Sequence, residues 1–195
     1  MKNKVILSEL ENYKSLNKEK DKLETDRLLE IHSHNSFIYG STPYDTFLTL
    51  FNHLKIKPKR FIVVGCSIGW VNFYLNDLNP NIETIGLDIH HHRIDFGNKL
   101  IQKYNLKNIS LVKESFEDFK FENGDVIWES NLCFESSFNI KCNQRINNKL
   151  SDFAVISYRG IGEIFKEPIF NIKKIGLPVS WMEKQNFYVY EKTNR

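Results

Sequence analysis

Two glycines and a carboxylate carry the first chemical signal in this chain. Gly65-Cys66-Ser67-Ile68-Gly69 follows the apolar run Phe61-Ile62-Val63-Val64 and precedes an apolar pattern of helical spacing that starts at Trp70. A buried parallel strand, a tight turn and a helix N-terminus are the expected result. Glycine at 65 and 69 admits positive φ and lets a ligand reach main-chain N–H groups that no side chain shields. Asp88 ends a second apolar run, Thr84-Ile85-Gly86-Leu87, at about the 20-residue separation at which a carboxylate meets a ribose diol. Together these residues describe a cradle for a nucleoside cofactor.

Other residues with chemical potential weigh less. His90, His91 and His92 are adjacent, so successive rings diverge and one metal ion could not take all three; they read as the start of a helix, and no metal site is expected. Cys66, Cys133 and Cys142 are odd in number and lack the paired short spacing of a zinc site. A reducing, intracellular setting, cytoplasmic or nuclear, is the expectation.

The elements that must position the cradle follow from periodicity. Residues 61–64, 84–87, 109–112, 125–128 and 153–157 read as strands, with helices to about Leu78, from about His92 to Tyr104 and over roughly 138–150 between them. That alternation describes a doubly wound α/β sheet with helices on both faces. Ile169 to Ile175 and Phe187 to Glu191 read as two strands around Gly176-Leu177-Pro178 without a crossover helix, an antiparallel pair at one sheet edge. Upstream, Thr42 is the expected N-cap and Pro43 the first residue of a helix that stops before Pro58. Residues 4–31 space their leucines as one helix with a narrow apolar face. Two units result: an N-terminal helical cap over 1–35 and a domain over 36–195.

Composition narrows the class. The chain has 195 residues, 41% of them hydrophobic, enough for a globular core. A net charge of +3 is too weak to claim nucleic acid, so direct contact with it stays open. No run approaches the roughly 20 apolar residues of a membrane span. MKNKVILSELENYK lacks the small-residue cleavage site of a signal peptide.

The cofactor is the next question. A dinucleotide loop wants G-x-G-x-x-G, and G-C-S-I-G with a terminal antiparallel hairpin fits a seven-stranded, Rossmann-like S-adenosylmethionine-dependent methyltransferase better. Four segments then occur in one order: F-I-Y-G-S-T-P-Y-D at 37–45, V-V-G-C-S-I-G-W at 63–70, V-I-W-E-S-N-L-C-F at 126–134 and P-V-S-W-M-E-K-Q-N-F-Y-V-Y at 178–190. Over roughly residues 35–192 this resembles the non-SET histone lysine methyltransferases, the disruptor-of-telomeric-silencing family. The resemblance implies that Tyr39, Gly40 and Thr42 belong to a loop closing over the cofactor, that Gly65 and Gly69 hold its methionine part, and that Asp88 meets its ribose. It implies Ser115 and Phe116 beside the adenine, with Ser115 standing where the family has an aspartate. Asn131, Phe134 and Tyr188 fall on the lysine channel and Trp181 on the V-S-W tryptophan. Glu129 sits where many amino-group methyltransferases keep an acid or amide, and an exposed loop acid is the alternative. Ser41, Val63, Ser67 and Ser130 also depart from the family pattern.

The implied chemistry is an in-line displacement at a sulfonium carbon, in which positioning does most of the work. A lysine nucleophile must first be neutral, and with a free pKa near 10.4 only about one in 10³ is so at pH 7. A narrow aromatic channel would lower that pKa by desolvation. A basic protein, histone or nucleosome is the expected partner. A weakly active or inactive binding module, or a methyltransferase for RNA or a small molecule in which Lys55, Lys57, Lys59 and Arg60 contact phosphate, are the alternatives.

Overall fold

Short apolar runs bounded by turn residues become central strands here because both of their faces are covered. A computed structural model describes residues 4–29 and 41–192. β1 (Arg60–Val64), β2 (Glu83–Asp88), β3 (Ile109–Lys113), β4 (Asp125–Glu129), β5 (Phe153–Ser157), β6 (Phe170–Val179) and β7 (Met182–Lys192) form one seven-stranded sheet in the order β3-β2-β1-β4-β5-β7-β6. The first five run parallel, and β7 inserts antiparallel between β5 and β6. Alternation along β1 sends Phe61 and Val63 to one face and Ile62 and Val64 to the other. The first face is covered by α3 (Tyr44–Asn52), α4 (Trp70–Leu78) and α5 (His91–Lys103), the second by α6 (Ser136–Lys149) with Phe116, Phe165 and Phe170. The doubly wound expectation holds. Among the described residues, no helix is long and apolar enough to cross a membrane.

Three local expectations change. The N-terminal segment bends at Asn17 into α1 (Lys4–Leu16) and α2 (Lys18–Leu29) in place of one helix. Ile6, Leu10 and Tyr13 of α1 form an apolar stripe against Phe73, Leu100 and Ile109, whereas α2 has almost no such stripe and docks on the start of α5 through Asp21 and Glu24. The C-terminal hairpin turns at Ser180-Trp181, not at Gly176-Leu177-Pro178, which is part of β6. Proline is tolerated there because β6 is the edge strand and its register shifts between Leu177 and Val179. Pro43, one residue later than expected, is the N-cap of α3, and its side chain offers no cap bond. Thr42 Oγ1 bonds instead to the Tyr158 hydroxyl.

Candidate functional site

The parallel strands deliver their C-terminal ends to one edge, where open α/β sheets bind ligands. After β1 the chain takes positive φ at Gly65 (+70°), Ser67 (+53°) and Gly69 (+93°). This folds the loop back on β2: the amides of Gly65 and Cys66 both donate to the Leu87 carbonyl at 2.9 and 3.0 Å. Asp88 then acts as a clamp. Its Oδ2 accepts from the Ser67 amide at 2.8 Å and its Oδ1 from the His90 amide at 2.9 Å. A Cβ at Gly65 would stand 3.3 Å from Ser130 Cβ, so the segment after β4 closes directly on the loop backbone.

Between these segments lies a cavity of about 300 Å3. Among the described residues its charged lining side chains are Asp88 and Arg93; aromatic lining comes from Trp70, Phe134, Tyr158 and Trp181 and hydroxyls from Ser41, Thr42 and Ser130, and the Phe134 ring closes on the glycine loop, 3.5 Å from where a Cβ at Gly65 would stand. Ser67 lines the cavity, and its Oγ is buried with no hydrogen-bond partner among the described residues. An orphaned hydroxyl beside bare loop backbone and a carboxylate with a second lone pair free on each oxygen suits a nucleoside cofactor. Burial, helped by the Asp88 charge, pushes the Cys66 thiol well up, so it is not a nucleophile.

The expected site residues divide. Thr42, Gly65, Asp88 and Phe134 line the cavity, and Gly69 shapes the loop from behind, where a Cβ would meet Leu111 at 2.9 Å. Tyr39 and Gly40 lie outside the described residues. Ser115 Oγ accepts from the Glu117 amide at 3.2 Å, and Phe116 is buried among Phe121, Phe134 and Phe138; neither lines the cavity. Of Asn131, Phe134 and Tyr188, only Phe134 lines the cavity. On β7, Phe187 and Val189 pack toward Trp128, while Tyr188 and Tyr190 face the opposite side, where the Tyr188 ring stacks at 6.3 Å on Tyr190 with Lys174 Nζ 5.7 Å from it. Tyr188 thus takes the sheet face that Phe134 also packs on, as the register partner of Ser157, and is not among the residues that line the cavity.

Asn131 is fully buried below the wall. Its Nδ2 lies 2.7 Å from Ser157 Oγ, 3.1 Å from Glu129 Oε2 and 3.2 Å from Asn139 Oδ1, and its Oδ1 accepts from the Arg159 amide at 3.2 Å. Glu129 is neither exposed nor in the cavity: as the last residue of β4 it points into this network with no solvent exposure. Burial pushes its carboxyl up to about 8, against the opposing effect of the neighbouring Asn143, Ser157 and Asn131 side chains. Burial likewise pushes the Tyr158 hydroxyl up to about 12.

On the other flank, Glu24 of α2 caps α5, accepting from the His91 and His92 amides at 2.8 and 2.6 Å. Burial works to raise its carboxyl, but these amides and His90, whose Nδ1 lies 3.0 Å away, hold it below the usual range. Burial and Arg93 keep His90 below its ordinary value. Among the described residues no group of three or more His, Cys, Asp or Glu is placed to hold a metal ion.

Sequence reasoning missed Tyr158, Arg93 and Cys133 as cavity residues. Tyr158 had a usable signal: it directly follows the apolar run of a parallel strand, at the end where ligands bind. Arg93 and Cys133 had none, since a helical arginine and a lone cysteine are common on any surface.

The sequence matches no protein-family model and no curated protein sequence. Solved structures are more informative. Magnesium protoporphyrin IX methyltransferase (ChlM) from Synechocystis PCC 6803, with bound SAM, superposes with a TM-score of 0.60 at 9% identity, covering 76% of this chain and 77% of that one. The chain has the class I methyltransferase fold. TrmK of M. capricolum, in complex with S-adenosyl-homocysteine, gives a TM-score of 0.55 at 13% identity over 75% of this chain and 66% of that one. PhzM, a pyocyanin biosynthetic protein, gives 0.56 at 15% identity, and the chain spans only 54% of its length while 75% of this chain is covered.

Proposed function

We propose that the chain is an S-adenosylmethionine-dependent methyltransferase whose acceptor is an amine, in the first place a lysine side chain of a basic protein such as a histone. The observation that carries this reading is one cavity lined both by the glycine loop, clamped by Asp88, and by the aromatic side chains Phe134, Tyr158 and Trp181. The loop backbone, Ser67 Oγ and Asp88 would hold the cofactor, in keeping with the SAM and S-adenosyl-homocysteine bound by the structural neighbours ChlM and TrmK. When bound, S-adenosylmethionine supplies a methyl group that an unprotonated amine displaces in line. Phe134, Tyr158 and Trp181 exclude water from that amine and offer it no carboxylate, which favours its neutral form. Trp181, 44% exposed, stands at the mouth. Radiolabelled methyl transfer to core histones or nucleosomes is the expected result; cofactor binding without transfer to any protein would remove the lysine acceptor.

A second reading, a module that binds weakly and does not turn over, draws support from Asp88, both of whose oxygens are already bonded to backbone amides. Calorimetric titration with S-adenosylhomocysteine separates the two, with millimolar affinity or worse favouring the second. The RNA alternative loses its guide: Lys55, Lys57 and Lys59 precede β1, a five-residue strand, and so lie roughly 16 Å from the cavity end of the sheet.

A further inference from the structure

The hydrogen bonds around Glu129 do not balance if its carboxyl is an anion. Asn131 Nδ2 carries two hydrogens, yet Glu129 Oε2, Asn139 Oδ1 and Ser157 Oγ all stand within 3.2 Å of it. The Ser157 hydroxyl donates elsewhere, to the Arg159 carbonyl at 2.7 Å. Asn143 Nδ2 donates to the Asn139 carbonyl and Oδ1 at 3.0 and 3.3 Å. Two buried acceptors are left bare, Glu129 Oε1 and Asn143 Oδ1, on side chains within bonding reach of each other. One proton on Glu129 supplies the missing donor.

Among the described residues, no cation packed on it offsets a charge there. The 3₁₀ turn Asn131–Cys133 presents the Asn131 amide, and α6 presents Asn139, Asn143 and the Cys142 thiol. β5 presents Ser157 and β7 the Tyr190 phenol. The Arg159 guanidinium is bonded to the Phe134 carbonyl at 2.6 Å. A buried carboxylate without a cation or a full set of donors is strongly disfavoured.

We infer that Glu129 is held as a neutral acid and acts as a positioning residue, fixing through Asn131 the 130–134 segment that forms one wall of the cavity. Its bearing on cofactor binding rests on the methyltransferase reading; its protonation does not. The acid is therefore not the base that takes the proton from the acceptor. Ionising it strands a charge under the wall, and the Ser130 and Phe134 surfaces lose their support.

The test compares wild type with Glu129→Gln, whose amide can donate to Asn143 Oδ1 at every pH. The sign follows from linkage. A carboxyl raised to about 8 in the folded chain stabilises it fully below the unfolded value near 4.5, and that contribution drains away as pH rises to about 8. The denaturation midpoint of the wild type should fall relative to that of the variant across this window and run level above it. A gap that does not change with pH would mean a merely structural glutamate and overturn the proposal. Affinity for S-adenosylhomocysteine should fall above pH 8 by up to tenfold per unit in the wild type and stay flat in Glu129→Gln. Equal profiles in the two proteins would overturn the positioning role, and absent binding at all pH values would sink the methyltransferase reading while the stability comparison still decides the proton. Should Glu129→Gln fail to fold, infrared spectroscopy of the wild type decides: a protonated-carboxyl band present at pH 7 that disappears near pH 8 supports the proposal, and no such band overturns it.

Discussion

On the β1–β2 side of the cavity carboxylates accept from backbone amides, whereas on the β4–β5 side buried side chains bond to one another. Asp88 holds the amides of Ser67 and His90, and Glu24 those of His91 and His92. Across the cavity, Asn131 ties Glu129, Asn139 and Ser157 together with no carboxylate partner for any backbone amide among those bonds. The first wall depends on negative charge and on bare backbone; the second depends on amide identity and on a retained proton. One cavity is thus held by two carboxyl chemistries of opposite sign.

The largest effect should come from removing the clamp. Asp88→Ala strands two amides that now donate to a charged acceptor, each bond worth roughly 1.5 to 3 kcal/mol. A loss of about 3 kcal/mol in urea denaturation is expected, since Asp88 is only partly buried. A loss below about 1 kcal/mol would mean that backbone bonds to Leu87 already hold the loop. Next comes Asn131→Ala, which removes the hub of the opposite wall: Glu129 Oε2 loses its donor, and Asn139 Oδ1, Ser157 Oγ and the Arg159 amide each lose one bond and keep another. About 2 kcal/mol is expected there, and cofactor affinity should fall with it because Phe134 loses its support. Two variants with matched stability losses but unequal binding losses would show which wall the ligand leans on.

Glu24→Gln is a smaller and sharper probe. Its carboxyl caps α5 from another helix, so the change should cost about 1 kcal/mol near neutrality. The pH dependence has the opposite sign to that of Glu129. Glu24 is held below its ordinary value, so its contribution is present above about 4.5 and is lost as pH falls through the lower folded value. On acidification the gap between wild type and Glu24→Gln should close. A gap that grows instead would mean that Glu24 is neutral in the folded chain.

The same contrast explains what the sequence could disclose. Gly65, Gly69 and Asp88 act through the backbone, and backbone geometry is written in spacing: a strand, a turn, and a carboxylate one βαβ unit later. Asn131 and Tyr188 act through side-chain direction, which one residue of register inverts on a strand. Tyr188 takes the face of Phe134 while Phe187 takes the side of Trp128, and no local pattern distinguished the two. Glu129 read as a surface or catalytic acid because charge suggests water; the partners that make it buried come from α6 and β5, distant in the chain. Gly176-Leu177-Pro178 read as a turn because only an edge strand hides such residues, and edge position is a property of the whole sheet.

Ser67 is where the two chemistries can be separated within a single residue. Its φ of +53° lies in the left-handed region, where a side chain costs roughly 1 to 2 kcal/mol, and its Oγ is buried without a partner. Ser67→Gly relieves both, against the roughly 0.5 to 1 kcal/mol that glycine loses through the freedom of the unfolded chain. A net gain of about 0.5 to 1 kcal/mol in stability is expected. If the orphaned hydroxyl exists to meet the cofactor, the same variant should bind S-adenosylhomocysteine several-fold more weakly, since one hydrogen bond is worth roughly 0.5 to 1.5 kcal/mol. Higher midpoint with weaker binding would mark Ser67 as strain kept for a ligand. A higher midpoint with unchanged binding would assign the cradle to the backbone and Asp88 alone, and the first wall would then owe nothing to side-chain hydroxyls.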